Sequence, residues 1–118
     1  MNTSSIRIIG GRHKSYRIVF KATPALRPTT DRAKETLFSW LQFELENKSC
    51  LDLFAGTGGL GLEALSRGAQ HVTFVEREKS LYKNIIKNIT HLSYENKIQA
   101  ACSDAFKWLK TNKKKFDI

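Results

Sequence analysis

The chain has 118 residues, which is enough for one domain with a hydrophobic core. Hydrophobic residues make up 41% and charged residues 26%, which is ordinary globular usage and excludes a disordered or low-complexity chain. Twenty Lys and Arg residues against eleven Asp and Glu residues give a formal charge of +9. Two interpretations stay open: a polyanionic partner such as nucleic acid, or a soluble surface biased towards lysine.

The cysteines, histidines and apolar runs narrow the class further. Cys50 and Cys102 lie far apart without a CxxC motif, and the three histidines are scattered, so we expect neither a disulfide scaffold nor a metal site. Buried thiols in a reducing cytoplasm are the simpler interpretation. No apolar run approaches the roughly 18 residues that a membrane span requires. We therefore expect a cytoplasmic protein without metal or membrane contact.

The first third of the chain predicts a basic β-hairpin and then a helix. Residues 5–9 and 16–20 are expected to form strands, because the GGRHKS segment between them favours a turn. Residues 23–28 contain two prolines and predict a linker. A helix should begin near Thr30 or Asp31, either of which can cap it, and end before Asn47. Its apolar face is expected to comprise Ala33, Leu37, Trp40, Leu41 and Leu45.

From residue 49 onward, strand and helix patterns alternate. Strands are predicted at 49–55, 71–75 and 97–102, helices at 59–67, 78–91 and 104–110, and the opening of a fourth strand at 116–118. This order predicts an α/β domain with a parallel sheet and right-handed crossovers. We divide the chain into a hairpin at 1–22 and the α/β domain at 23–118. Asn84 and Asn88 are expected on a polar helix face, and Trp108 in the core.

The last residues favour a continuation of the sheet. A domain rarely stops where a buried strand begins, and a free-standing sheet usually has more than three strands. We expect the chain to be the N-terminal part of something longer. The alternative is a minimal domain that an oligomeric partner completes.

The glycine-rich segment DLFAGTGGLG at 52–61 carries the chemical signal. Gly56, Gly58 and Gly61 satisfy G-x-G-x-x-G after a predicted strand and at the start of a helix. Glu76 ends the next strand twenty residues after Gly56, where an acid can accept both hydroxyls of a ribose. The alternative is a structural glycine turn followed by a solvated glutamate.

Two nucleotide-type ligands fit this pattern, a dinucleotide and S-adenosylmethionine. A pyrophosphate favours a helix N-terminus without nearby acids, whereas S-adenosylmethionine brings a sulfonium and an ammonium. Asp52 places a carboxylate close to the loop and favours the cationic ligand, unless it is only a structural hydrogen-bond acceptor. Asp104 follows the third strand, where it can meet an adenine amino group or simply cap the next helix.

Several segments together resemble one family. They are IIGG at 8–11, LRPTTDR at 26–32, ETLF at 35–38, DLFAGTG at 52–58 and GLEALSRGA at 61–69. In this order they closely resemble the bacterial 16S ribosomal RNA guanine-N2 methyltransferases, over essentially the whole chain. The resemblance implies a class I, Rossmann-like methyltransferase sheet, incomplete here and preceded by a basic β-hairpin and a helix.

The resemblance also implies roles for individual residues. S-adenosylmethionine would contact Asp52, Phe54, Ala55, Gly56, Thr57, Gly58, Glu76, Asp104 and Ala105. The guanine pocket would involve Arg27, Thr29, Thr30 and Arg32. The hairpin's charge leads us to expect RNA phosphates at Arg7, Arg12, Lys14 and Arg17, and the resemblance implies that this RNA is 16S ribosomal RNA or the small subunit; the alternative is a basic hairpin without a partner. Residues 113–115 are instead expected to form a solvated turn, and the protein is expected to be a monomer.

No catalytic residue is expected within the chain. The family's Asp-Pro-Pro-Phe/Tyr tetrad would follow Ile118, so we expect the 118-residue chain alone to lack methyl transfer. Arg12-His13-Lys14 also departs from the Arg-Gly-Arg-like stretch that family members usually carry. Two other functions stay open: a non-catalytic RNA-binding remnant, and a nicotinamide-dependent oxidoreductase domain, against which Asp52 and LRPTTDR argue.

Overall fold

A computed structural model describes residues 3–21, 26 and 30–118, and the predicted α/β fold is confirmed. The elements in chain order are β1 (Thr3–Arg7), β2 (Arg17–Lys21), α1 (Asp31–Leu41), β3 (Ser49–Asp52), α2 (Gly59–Ser66), β4 (His71–Glu76), α3 (Lys79–His91), β5 (Ile98–Cys102) and α4 (Ala105–Thr111). Strand β3 and helix α1 both end earlier than the sequence pattern predicted. The boundary proposed at residue 22 lies outside the described residues.

The second half of the chain forms a parallel sheet in the order β3-β4-β5. Beside β3, the N–H of Ile118 donates to the Ser49 carbonyl at 3.1 Å, and the Leu51 N–H donates to the Ile118 carbonyl at 2.9 Å. One residue that bonds to two residues spaced two apart on its neighbour is the hydrogen-bond pattern of parallel strands. The last residues therefore begin to extend the sheet where a fourth strand was predicted. Strand β3 thus has β4 on one side and the last residues of the chain on the other, so successive strands are added in opposite directions from β3. Such a reversal is where α/β sheets open a ligand crevice.

The hairpin packs onto the same core as the sheet. Strands β1 and β2 pair antiparallel, with Arg7 opposite Arg17. Ile8 and Ile18 are fully buried and join the cluster that contains Phe74 of β4. The hairpin therefore rests against the α/β layer through its apolar inner face, and its outer face meets solvent.

Helix α1 is capped as predicted, but its buried face differs from the predicted one. The Thr30 hydroxyl accepts the Ala33 N–H at 3.2 Å. Ala33 is exposed and Trp40 is 75% exposed, so their assignment to the buried face was wrong. Phe38 and Lys34 are buried instead. The spacing of apolar residues could not predict that Lys34 is buried, because its burial depends on a carboxylate in another helix.

That carboxylate belongs to Glu63 of α2, which is completely buried. It accepts the N–H groups of Ile9 and Gly10, each at 2.9 Å. It also accepts the Arg67 Nε–H at 2.8 Å and lies 3.6 Å from Lys34 Nζ. Lys34 Nζ in turn donates to the Arg7 carbonyl at 2.6 Å. One side chain thus joins the hairpin, α1 and α2.

Helix α3 is fixed to the hairpin by two asparagines. Asn88 is only 6% exposed, so the prediction of a polar face was wrong for this residue. Its carbonyl oxygen accepts the Tyr16 hydroxyl at 2.7 Å, and Asn84 Nδ2 donates to the Val19 carbonyl at 2.9 Å. Trp108 is buried as predicted.

Replacement of Glu63 by glutamine should strongly destabilise the fold. The Glu63→Gln variant leaves Lys34 buried without its counter-charge and offers one acceptor oxygen instead of two. Removing one partner of a buried ion pair typically costs about 3–5 kcal/mol. Urea unfolding followed by circular dichroism measures the free energy of unfolding.

The exposed Glu44 provides the matched control, because Glu44→Gln makes the same chemical change at the surface. We expect this control to stay within about 0.5 kcal/mol of the unchanged protein. Equal unfolding free energies for the two variants would contradict the role assigned to Glu63.

Candidate functional site

The loop between β3 and α2 turns on its glycines. Gly56 has φ +56° and Gly58 has φ +83°, and both values lie in a left-handed region that residues other than glycine rarely adopt. Gly61 has a different task, since a Cβ there would lie 2.2 Å from the Phe74 ring. The absence of a side chain at Gly61 lets α2 pack closely on β4, so the glycine pattern serves both the turn and the packing.

Glu76 ties this loop to the start of α3. Its carboxylate accepts the Gly56 N–H at 2.8 Å through one oxygen and the Glu78 N–H at 2.7 Å through the other. A carboxylate oxygen can accept two hydrogen bonds, so each keeps capacity for a further donor. The side chain therefore orders the loop while still being able to bind a ligand.

An open cleft runs along the carboxyl ends of the parallel strands. A cavity of about 600 Å³ lies between the hairpin, the glycine loop and the start of α3. A second cavity of about 280 Å³ extends it towards β5 and α4. The residues that line both are Phe54, Glu76 and Arg77. We call the two together the strand-end cleft.

Two exposed aromatic rings belong to this cleft. Phe54 is 71% and Phe106 is 67% exposed, and their ring centroids lie 6.5 Å apart at an interplanar angle of 69°. Apolar rings left open beside a cavity suit a planar aromatic ligand. Phe54 was among the residues predicted from the sequence to bind the cofactor, whereas Phe106 was not. The available signal was its position in the first turn of the helix that follows β5.

Asp52 is not among the residues that line these two cavities. Its carboxylate accepts the Gly61 N–H at 3.1 Å and lines a smaller apolar cavity of about 120 Å³ that also includes Phe38 and Ile118. Burial raises the pKa of Asp52 to about 6, the Gly61 hydrogen bond opposes the shift, and the nearby Glu76 charge adds to it. Asp52 thus makes a structural hydrogen bond, which was one of the two roles considered for it from the sequence. Its contact with a cofactor stays a prediction.

Asp104 forms the helix cap that was one of its two predicted roles, and its contact with an adenine stays a prediction. Its carboxylate caps α4 by accepting the Lys107 N–H at 3.1 Å, and it also lines the second cavity together with the buried Ala105. Ala55 and Thr57 are buried within the loop, where the Thr57 hydroxyl accepts the Gly59 N–H at 3.2 Å. These two residues shape the loop from inside.

The predicted guanine-pocket residues are only partly described. Arg27 and Thr29 lie outside the described residues. Thr30 caps α1, and Arg32 is exposed in its first turn.

The four predicted RNA-binding cations are all exposed on the hairpin. Arg7 lies 3.4 Å from Asp31, and Arg17 donates to the Ser5 hydroxyl at 3.2 Å. Arg12 and Lys14 lie in the hairpin's loop, where the Arg12 N–H donates to the Ser66 carbonyl at the end of α2. Because an eight-residue helix is about 12 Å long, this loop is far from the glycine loop at the other end of α2.

The described residues include neither a metal-binding cluster nor a membrane-spanning helix. Across residues 3–21, 26 and 30–118, no group of three or more His, Cys, Asp or Glu side chains is placed to hold a metal ion. None of the described helices is both long and apolar enough to cross a bilayer.

Known protein sequences show similarity over most of the chain. Residues 6–118 match the family described as Conserved hypothetical protein 95. Ribosomal RNA small subunit methyltransferase D of Buchnera aphidicola subsp. Acyrthosiphon pisum is 45% identical over 116 residues, which are 98% of this chain and 60% of that protein. The protein of the same name from Escherichia coli K12 is 46% identical over 94 residues, or 80% of this chain and 48% of the relative. The chain thus spans about half of these relatives' length, and 60% at most.

Solved structures show the same relationship. A putative methyltransferase, yhhF, from Escherichia coli matches with a TM-score of 0.79 and 42% identity, covering 90% of this chain and 58% of that one. A putative methylase from Haemophilus influenzae matches with a TM-score of 0.78 and 35% identity, covering 97% and 61%. The Rossmann-like methyltransferase fold is therefore confirmed, and such relatives imply a methyl donor of the S-adenosylmethionine type.

The raised pKa of Asp52 should be visible in the pH dependence of stability. Its pKa is higher in the folded chain than the ordinary 3.8, so the folded state binds this proton more tightly. The contribution of the protonated carboxyl is therefore present below pH ~4 and is lost as the pH rises through about 6. Asp52→Asn removes the titration and keeps an acceptor oxygen for Gly61.

Urea unfolding at several pH values tests this expectation. The variant's stability relative to the unchanged protein should rise between pH ~4 and ~6. A difference that stays constant over that range, or falls, would show that the Asp52 carboxyl is not destabilised by burial.

Proposed function

Because the chain belongs to the Conserved hypothetical protein 95 family, we propose that it carries the cofactor-binding part of a ribosomal RNA methyltransferase. The reaction proposed for the whole protein is S-adenosylmethionine-dependent methylation of the N2 amino group of a guanine in 16S ribosomal RNA. The proposal is supported by relatives that carry the name of ribosomal RNA small subunit methyltransferase D. It places the protein in the cytoplasm, as a monomer that acts on the RNA or on the small ribosomal subunit.

The observation that carries the choice of cofactor is the state of the backbone donors around the start of α2. The Gly61 N–H is bonded to the Asp52 carboxylate, and the Gly59 N–H to the Thr57 hydroxyl. The Gly56 N–H is bonded to the Glu76 carboxylate. A pyrophosphate needs such donors free and carboxylates distant. A nicotinamide dinucleotide is therefore disfavoured, whereas a cationic ligand is not.

The residues of the strand-end cleft fit S-adenosylmethionine. Glu76 has acceptor capacity left for the ribose hydroxyls, and Asp104 and Ala105 lie where an adenine would reach β5. Phe54 and Phe106 are exposed apolar rings beside the cleft, and an adenine could pack against either of them. Among the lining residues the three acids Glu76, Glu78 and Asp104 outnumber the two cations Lys21 and Arg77, which suits a ligand with positive charge.

When bound, S-adenosylmethionine would supply an electrophilic methyl group on its sulfonium. The described residues would bind and orient the cofactor, and the Phe54 and Phe106 rings would exclude water from its adenine end. Fixing a methyl donor at contact distance from an acceptor can supply a large part of a rate enhancement. No described residue is assigned a catalytic proton transfer. Thr30 and Arg32, with Arg27 and Thr29, are proposed for the guanine pocket.

The hairpin is proposed as an RNA-binding element. Arg7 and Arg17 face each other across the two strands, a like-charge pairing that destabilises a sheet. A phosphate bound near both guanidinium groups would relieve this repulsion. Arg12 and Lys14 extend the positive surface to the hairpin's loop. The affinity for RNA should consequently fall steeply with salt concentration.

Binding of S-adenosylhomocysteine tests the cofactor assignment. Isothermal titration calorimetry should detect binding of S-adenosylhomocysteine to the 118-residue chain and no binding of NAD. Glu76→Gln and Phe106→Leu should each weaken it about tenfold, which corresponds to about 1.4 kcal/mol, because they remove a ribose acceptor and a stacking ring.

Phe43 provides the control for Phe106. It is 90% exposed and lies outside the residues that line the cleft, so Phe43→Leu should leave the affinity unchanged. Binding of NAD in place of S-adenosylhomocysteine would overturn the proposal. RNA binding without any cofactor binding would favour a non-catalytic RNA-binding module.

A further inference from the structure

Helix α3 carries an unbalanced row of lysines. Lys79, Lys83 and Lys87 follow one another at intervals of four residues and are all exposed. Residues that are four apart lie on the same side of a helix, so the three ammonium groups share one face. The helix contains no Asp or Glu. Within the described part of the chain, none of the three lysines forms an ion pair. We call them the α3 lysine row.

This arrangement is unfavourable for the helix itself. Each like-charged pair at a spacing of four destabilises a helix by a few tenths of a kcal/mol. Lys79 is also the first residue of α3, where the helix dipole is positive and a cation is disfavoured. Neither local helix stability nor internal pairing therefore explains the row, whereas a polyanionic partner would compensate all three charges.

The α3 lysine row adjoins the outer face of the hairpin. Strand β2 pairs with β1 on one side and receives the Asn84 side chain at its Val19 carbonyl on the other. The Tyr16–Asn88 hydrogen bond holds the far end of the same contact. Strand β2 thus lies between β1 and α3, and its exposed Arg17 and Lys21 stand beside the helix.

The resulting surface is rich in cations and leads to the cleft, and the acids Asp31, 3.4 Å from Arg7, and Glu78, the N-cap of α3, lie at its border. Residues 3–21 and 79–91 contain eight Lys and Arg residues and no Asp or Glu. Lys21, Ser80 and Asn84 all line the larger cavity of the strand-end cleft. A polyanion lying on this surface would pass directly beside the position proposed for the cofactor.

We propose that the α3 lysine row binds the phosphate backbone of the substrate RNA and, with the hairpin's outer face, forms one continuous RNA surface. This inference rests on the proposed function and extends it to a helix that no motif identified. The hairpin binds one part of the RNA strand, and the α3 lysine row binds the part of the RNA that runs past the cleft. Each ammonium group neutralises one phosphate and releases counterions.

The test compares two triple variants of equal charge. One carries Lys79→Gln, Lys83→Gln and Lys87→Gln. The control carries Lys110→Gln, Lys113→Gln and Lys115→Gln, which are exposed lysines at and beyond the end of α4. Helix α4 leads away from the strand-end cleft, so these lysines lie towards the opposite end of the sheet.

Fluorescence anisotropy with a 16S ribosomal RNA transcript, repeated at several salt concentrations, supplies the readout. For the α3 variant the slope of log affinity against log salt should fall by about 2, and the affinity by about tenfold or more at low salt. The control variant should lose much less of its RNA affinity and of its salt dependence. The melting temperature of the α3 variant should be unchanged or higher, because repulsion within the helix is removed.

The outcomes separate this inference from the proposed function. If RNA and S-adenosylhomocysteine bind but both triple variants behave alike, the lysine row is not part of the RNA surface and the proposed function stands. If the unchanged chain binds neither ligand, the proposed function fails and this inference with it. Binding to phosphatidylglycerol vesicles instead of RNA would overturn the row's assignment to RNA.

Discussion

The buried carboxylate of Glu63 is the constraint on which the arrangement of this chain depends. Helix α2 lies between the sheet on one side and the hairpin and α1 on the other, so seven of its eight residues are buried. An isolated charge in such a place would cost several kcal/mol. Two backbone N–H groups, a guanidinium and an ammonium compensate it. Because these partners come from three segments, neutralising the carboxylate also fixes where the segments meet.

The geometry of the cleft follows from this fixed helix. The hairpin's loop is held at the C-terminal end of α2, where the Ser66 hydroxyl donates to the Gly10 carbonyl at 2.7 Å. The N-terminal end carries the glycine loop, where Glu76 accepts the Gly56 N–H, and Asp52 accepts the N–H of Gly61 in the first turn of α2. Contact between α2 and β4 needs the missing side chain of Gly61. The same helix thus connects the proposed RNA-binding hairpin to the proposed cofactor site.

Charge is distributed according to position in the fold. Lys34 and Arg67 compensate Glu63, so they do not contribute freely to the positive outer surface. Three acids line the strand-end cleft against two cations, Lys21 and Arg77, and this small excess of negative charge suits a cationic cofactor. Exposed cations occupy the hairpin and α3, which suits a polyanionic substrate. Opposite charges on adjoining surfaces let one small domain attract two ligands of opposite sign.

The sequence alone determined the features that depend on near neighbours in the chain. The Thr30 cap, the β-α alternation from residue 49 and the glycine turn each need only a few consecutive residues, and all are present in the structure. The family could also be identified, because its segments occur in one colinear order. Glu76 was selected from its spacing, and it does contact the glycine loop.

Only the tertiary structure decided which polar side chains lie inside. The burial of Lys34 and Asn88, the exposure of Trp40 and the place of Phe106 in the cleft all escaped the local patterns. Periodicity assigns a residue to a helix face by its own polarity, whereas burial depends on the partner that meets it. For Glu63 and the Ile9 N–H that partner lies 54 residues away in sequence, and only folding brings the two together.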